Sequence, residues 1–298
     1  MDDFLAYLTA ERHYSPHTVK AYIKDVSTFM DFIKSKYDLS TYEKVSHQMV
    51  REWMLHLSHN GYTAVSIRRM ISSIRTLFRF LRREGVVQID PMQKVSIPKA
   101  GTRIPEIVTE EAMIKVLEEG DFEDSFAGNR SFLMIELLYS TGVRVSELCS
   151  IRFTDIDYGG STLKVMGKGR KQRLIPLSGE FLNHIKNWEE EVKRNFLGKE
   201  IDSYLFVTGQ GKKVYPKLVY KVVKHYLSNV TTIKRKGPHT IRHSFATHLL
   251  DGGASLSAIK ELLGHSDLSA TQIYTHTSIE KILSIYKQAH PRATKRKE

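Results

Sequence analysis

Apolar residues recur at helical spacing soon after the start of the chain. Val19, Tyr22, Ile23, Val26, Met30 and Ile33 follow Pro16, a residue tolerated in the first turn of a helix, and Ser15 stands before it as an N-cap. A shorter helix is expected from Ser46, carrying Val50, Trp53, Met54 and Leu57, and a long third one from Ala64 to Arg83, stopped at Gly85. In the third, Ile67, Met70, Ile71, Ile74, Leu77, Phe78 and Leu81 face a core, while Arg68, Arg69, Arg75, Arg79, Arg82 and Arg83 crowd the remainder. Asp90-Pro91 ends the helical pattern, and Lys94 to Pro105 holds Pro98, Gly101 and Pro105 with little periodicity. Residues 94–106 therefore read as a linker between a helical domain, 1–93, and a second domain, 107–298.

Past the linker, Thr109 caps a helix whose first turn holds Glu110 and Glu111, where carboxylates complement the helix dipole. A second helix is expected from Asn129 to Ser140, ending at Gly142. The period then changes: Asp155 to Tyr158, Leu163 to Val165 and Gln172 to Leu177 look like short strands of an antiparallel sheet. Helical signals return from about Phe181, broken near Tyr204 to Pro216 and at Lys236-Gly237-Pro238. The fold class is mainly α with a small antiparallel sheet, α+β, in the second domain.

Charge narrows the partners. The 298 residues carry a formal net charge of +12, and a cut at Arg103 leaves six positive charges in excess on either side. An even distribution suits two domains that face one polyanion, with nucleic acid ahead of an anionic membrane. Between Arg68 and Arg83 there is no acid, so this face forgoes the i,i+4 ion pairs a solvated helix face uses, and Arg68, Arg69, Arg75 and Arg79 are expected to meet phosphates. Cys149 is the only cysteine, which excludes an intramolecular disulfide and a CxxC zinc site. Near the N-terminus, Asp2 and Asp3 replace a basic leader region, and no apolar run approaches the ~18 residues of a membrane span, so a cytoplasmic, nucleoid-associated protein is expected.

Four clusters in the second domain carry candidate chemistry. In Thr141-Gly142-Val143-Arg144-Val145-Ser146-Glu147, an arginine follows a helix-ending glycine with an acid three residues on; alone this reads as a surface ion pair. Gly167-Lys168-Gly169-Arg170-Lys171 joins two strands in a stretch with five cations and no acid from Lys164 to Arg173. Its glycines allow close backbone approach to a nucleic-acid groove by Lys168, Arg170 and Lys171, although a soluble hairpin tip reads equally well. His239-Thr240-Ile241-Arg242-His243 places His239 and Arg242 on one face near a helix N-terminus, which favours anions. Finally, Leu262-Leu263-Gly264-His265 is followed nine positions later by Tyr274.

In this order and spacing the clusters resemble the tyrosine recombinase family, more closely its Xer branch of bacterial chromosome-resolving enzymes. The resemblance covers the whole chain and implies a two-domain DNA clamp, with the functional residues Arg144, Lys168, His239, Arg242, His265 and Tyr274 and Glu147 in support. It further implies a 3′-phosphotyrosyl intermediate, no cofactor, and four protomers on two specific DNA sites, alone or with a paralogous recombinase and a septal DNA translocase. The tail Ala289-His290-Pro291-Arg292-Ala293 is also similar to the Xer ending. The apolar set Ile279, Ile282, Leu283, Ile285 and Tyr286 would, by the same resemblance, dock on a neighbouring protomer; local packing is its plainer role.

The residue types suit that chemistry. A tyrosine hydroxyl, with a pKa of ~10, needs a cationic pocket or a proton acceptor to attack. Attack on a phosphodiester builds charge on the non-bridging oxygens, which the forked guanidiniums of Arg144 and Arg242 bind better than ammonium groups would. Lys168 can protonate the leaving 5′ oxygen; His239 accepts the tyrosine proton or donates a hydrogen bond, and His265 donates one to the phosphate. Carboxylates are scattered without the clustering of a Mg²⁺ site, so no metal is expected. A mobile-element integrase of the same chemistry, and a catalytically silent DNA-binding accessory protein, are the alternatives; the filled signature weighs against the second.

Overall fold

A computed structural model of the chain describes residues 1–96, 106–167, 172–264 and residue 289. It divides into two compact units, Met1–Arg103 and Ile104–Glu298, each with its own apolar core. Residues 97–105, within the stretch read as a linker, lie outside the described residues.

The first unit is helical. A short helix α1 (Asp2–Ala6) runs into one π-helical turn (Tyr7–Glu11), an element that the apolar pattern did not predict; it buries Phe4 and Leu8. Helix α2 (Pro16–Tyr37) starts where expected, the Ser15 side chain accepting a hydrogen bond from the Thr18 N–H, and it ends on Asp38 in the left-handed region at φ 53°. Helices α3 (His47–His59) and α4 (Ala64–Arg83) are capped in the same way by Ser46 and Thr63. All seven apolar positions predicted for the inner face of α4 are buried, together with Ser73 and Phe80. At the centre, Phe29 of α2 meets Trp53 of α3 at 4.9 Å and Phe78 of α4 at 6.4 Å between ring centroids, both edge-on.

The second unit begins with α5 (Glu110–Glu119), capped by Thr109, and α6 (Phe126–Thr141). Helix α6 starts three residues earlier than its apolar pattern suggests, because Ser125 accepts from the Gly128 N–H and sets the first turn. It is buried on nearly every side, as befits the central helix of a core, and packs on α8 and α10. After a short α7 (Val145–Leu148) comes an antiparallel sheet of β1 (Ile156–Asp157), β2 (Thr162–Met166) and β3 (Gln172–Pro176) in the order β1-β2-β3. Leu163 pairs with Ile175 and Met166 with Gln172. The first strand is shorter than expected, since Phe153–Asp155 forms a 3-10 turn. Helices α8 (Gly179–Asn195), α9 (Pro216–Val230), α10 (Pro238–Asp251) and α11 (Leu256–Leu263) follow, α9 and α10 each with proline in the first turn.

Candidate active site

Four segments far apart in sequence converge in the second unit. Arg144 is the N-cap residue of α7, directly after the turn that Gly142 makes at the end of α6. Glu147, in the first turn of α7, is buried; its carboxylate accepts from the Arg144 backbone N–H at 2.8 Å and from Arg144 Nη1 at 2.9 Å. The same carboxylate receives a bidentate fork from Arg173 of β3, Nη1 to Oε1 at 3.0 Å and Nη2 to Oε2 at 2.8 Å. Both side chains of that pair are 5% exposed, so the i,i+3 couple of Arg144 and Glu147 is the outer edge of a buried network, with Arg144 alone reaching solvent, and not an isolated surface pair.

Helix C-termini supply the remaining partners. Buried Arg242 of α10 donates from Nη1 to the Gly142 carbonyl at 2.6 Å and from Nη2 to the Leu263 carbonyl at 2.7 Å. Arg173 Nε donates to Leu262 O at 2.8 Å and Arg144 Nη2 to Gly264 O at 3.4 Å. Three consecutive carbonyls at the end of α11 thus each accept from a different arginine. The physical reason is general: the last carbonyls of a helix have no partner within it, and the negative end of its dipole favours cations. Gly142 and Gly264 make this approach practicable. Both are left-handed, and a Cβ on Gly142 would stand 2.4 Å from Phe245 Cδ1.

The charges are tuned by the enclosure. Burial, and then the repulsion of Arg144, bring the Arg242 guanidinium down to about 10, which still leaves it cationic at neutral pH. Burial pushes Glu147 up, but the hydrogen bonds and charge of Arg173, followed by those of Arg144, outweigh it and hold the carboxyl below 4.5. His239, the second residue of α10, is exposed; partial desolvation, then His243, Arg242 and Arg144, lower its pKa below 6.5. Three guanidiniums against one carboxylate leave a net positive pocket. Arg144 and Arg242 each spend two of five N–H donors on the protein, and a cleft of about 420 Å³ lined by Arg144, Glu147, Ser146, Asp155, Lys164 and Met166 opens beside Arg144. Donors fixed in advance around a charged group of this size suit a phosphate whose negative charge grows during reaction.

Of the residues singled out from the sequence, Arg144, Glu147, His239 and Arg242 are brought together here. Lys168, Arg170, Lys171, His265 and Tyr274 lie outside the described residues, as does the apolar set from Ile279 to Tyr286. Arg173 was missed. Its signal was available: in β3 it alternates with Ile175 on the inward face, and an arginine on the core side of a strand demands a partner. In the first unit, Arg68 and Arg79 are exposed and make no ion pair or hydrogen bond among the described residues. Arg69 is engaged by buried Asp25 of α2, Nη2 to Oδ1 at 2.8 Å, and half-buried Arg75 donates to Val95 O at 3.3 Å. Arg83 pairs with Glu11 and Glu84. The arginine face therefore does have acid partners, supplied from outside the stretch from Arg68 to Arg83.

Such a pocket is equipment for an enzyme acting on a phosphate ester. Residues 109–281 match the Phage integrase family, and residues 1–85 the Phage integrase N-terminal SAM-like domain. The chain is 36% identical over 318 residues to tyrosine recombinase XerC of Chlorobaculum parvum, covering 98% of this chain and 94% of the relative. It is 34% identical over 293 residues to tyrosine recombinase XerD of Staphylococcus aureus, covering 98% and 99%. Among solved structures it is similar to the XerH site-specific recombinase in a post-cleavage complex with its difH substrate, at a TM-score of 0.71 and 19% identity over 94% of this chain and 78% of that one. A lambda integrase dimer bound to a core site shares the fold at 0.66 and 18% identity over 100% and 97%. The chain belongs to the phage integrase family and is a site-specific tyrosine recombinase, a DNA strand-transfer enzyme. Among the described residues no helix is long and apolar enough to cross a membrane.

Proposed function

We propose that this recombinase resolves chromosome dimers at cell division, with Tyr274 as its nucleophile. The observation that carries the reading is the gathering of Arg144, Glu147 and Arg242 into one charged pocket, in a chain related along almost its full length to XerC and XerD. Tyr274 Oη attacks the scissile phosphorus, the bond to the 5′ oxygen breaks, and a 3′-phosphotyrosyl link preserves the ester for resealing by the partner strand's 5′ hydroxyl. Arg144 and Arg242 hold the non-bridging oxygens, and Lys168 protonates the departing 5′ oxygen. His239, its pKa lowered by partial desolvation and then by His243, Arg242 and Arg144, accepts the tyrosine proton, and His265 donates a hydrogen bond to the phosphate.

Residues 1–93 and 107–298 act as two domains of a clamp, with Arg68, Arg69, Arg75, Arg79, Arg170 and Lys171 on the DNA backbone. Four protomers assemble on two sites in the cytoplasm, on the nucleoid, alone or with a paralogous recombinase and a septal translocase. Tyr274→Phe should leave duplex binding nearly intact and abolish the covalent adduct on denaturing gels. An adduct that persists would move the nucleophile elsewhere, with Tyr286 the first to test. Sequencing the DNA trapped on Tyr274 decides between a chromosomal resolution site and the ends of a mobile element.

A further inference from the structure

We infer that Arg173 is a positioning residue of the recombinase, holding Arg144 in its reactive orientation through Glu147 and fixing the end of α11 against it. The inference rests on the clamp roles proposed above for Arg144 and Arg242.

Arg173 is the least able of the three arginines to meet a substrate, with three of its five N–H donors engaged on the protein and its side chain almost fully buried. All three of its nitrogens are engaged: Nη1 and Nη2 on the two oxygens of Glu147, Nε on Leu262 O. Its side chain is 5% exposed, whereas that of Arg144 is 33% exposed. A phosphate in the cleft meets Arg144, and Arg173 stands behind it. What Arg173 governs is the plane of the Glu147 carboxylate. That carboxylate takes both the backbone N–H and Nη1 of Arg144, so a rotation of it would carry the Arg144 guanidinium along. A fork on both oxygens prevents the rotation; a lysine, a single point charge on a flexible stem, would not.

The second anchor is the end of α11. By taking Leu262 O while Arg242 takes Leu263 O and Arg144 takes Gly264 O, Arg173 registers the helix terminus from which the chain continues to His265. Gly264 is shaped for this contact: it is left-handed at φ +65°, and a Cβ there would lie 3.2 Å from both Cδ and Nη1 of Arg173. Arg173 sits on β3, paired in register with Val165 of β2, and these are the two strands joined through Lys168. One buried guanidinium therefore ties together the segments that carry Arg144, Lys168 and His265 in sequence.

The test compares scissile phosphates of different charge. Covalent cleavage by Arg173→Lys and Arg173→Gln is timed on a half-site suicide substrate carrying either the natural phosphodiester or a neutral methylphosphonate, with Arg144→Ala as the benchmark. Thermal melting and half-site binding are measured alongside; if Arg173→Gln fails to fold, Arg173→Lys carries the test because it keeps a cation beside Glu147. On the phosphodiester, Arg173→Lys should cleave more slowly by a factor on the order of 10 to 100, as displaced catalytic groups do. On the methylphosphonate, whose reaction builds less charge for Arg144 to hold, the deficit should narrow as it does for Arg144→Ala. Equal deficits on both substrates, or no deficit, with Arg144→Ala narrowing normally, would overturn the role of Arg173 alone and leave it a structural arginine. Failure of Arg144→Ala itself to narrow would overturn the clamp reading and this inference together.

Discussion

His239 occupies the second position of α10, exposed to solvent yet close enough to Arg242, Arg144 and His243 to feel their charge. Desolvation and those neighbours all disfavour the imidazolium, so its pKa lies below 6.5 and the ring is neutral at neutral pH. If it accepts the tyrosine proton, the neutral form is the working one. The second-order rate of adduct formation should then be level near neutral pH and fall toward acid, with its midpoint below 6.5, the groups of the DNA-free protein being the ones this constant reports. A rate that stays flat down to pH 5 would remove His239 from the base role. The missing acid limb in a His239→Gln variant that still cleaves slowly is the companion measurement.

Single helices show how one face divides its labour. On α4, Arg69 is held by Asp25, which also accepts from Ser73 Oγ at 2.7 Å, while Arg68 and Arg79 stand free of ion pairs and hydrogen bonds among the described residues. Asp25 is buried and Arg69 half exposed, so the pair itself is screened and most of the cost of losing it falls on the buried hydroxyl left behind. Asp25→Ala should destabilise the first unit by about 1–3 kcal/mol in urea unfolding. Arg68→Ala and Arg79→Ala should leave unfolding unchanged and weaken duplex binding, each lowering the salt-dependence slope by about one. Wild-type slopes in both variants would reassign these arginines to a solvated face.

For the whole molecule, two units with separate cores account for separable behaviour. The apolar set Ile279, Ile282, Leu283, Ile285 and Tyr286 lies beyond Tyr274 in the sequence. If it docks on a neighbouring protomer, removing the residues after Ser278 should spare binding to one half-site and reduce both cooperative binding to a full site and strand exchange. Gel-shift titrations on half and full sites measure the difference; undiminished cooperativity together with normal recombination would return the segment to local packing.

What the sequence by itself determined is what depends on near neighbours along the chain. Ser15, Ser46, Thr63 and Thr109 each cap the helix that follows by accepting an N–H three residues on, and the sequence placed these four starts; Ser178 and Ser255 cap in the same way, but the starts after them were not read from the sequence. Apolar period separated helices from the three strands, and the ordered motifs were enough to suggest the family. The π turn at Tyr7–Glu11 and the brief α7 escaped, being too short to show a period. Only the tertiary structure decided the company each arginine keeps. Arg69 finds its acid 44 residues away, Arg173 finds Glu147 26 residues away, and Arg242 reaches a carbonyl at a distance of 100 residues. Backbone carbonyls are the same in every residue, so no sequence pattern marks Leu262, Leu263 and Gly264 as acceptors; packing α6, α10, α11 and β3 together selects them.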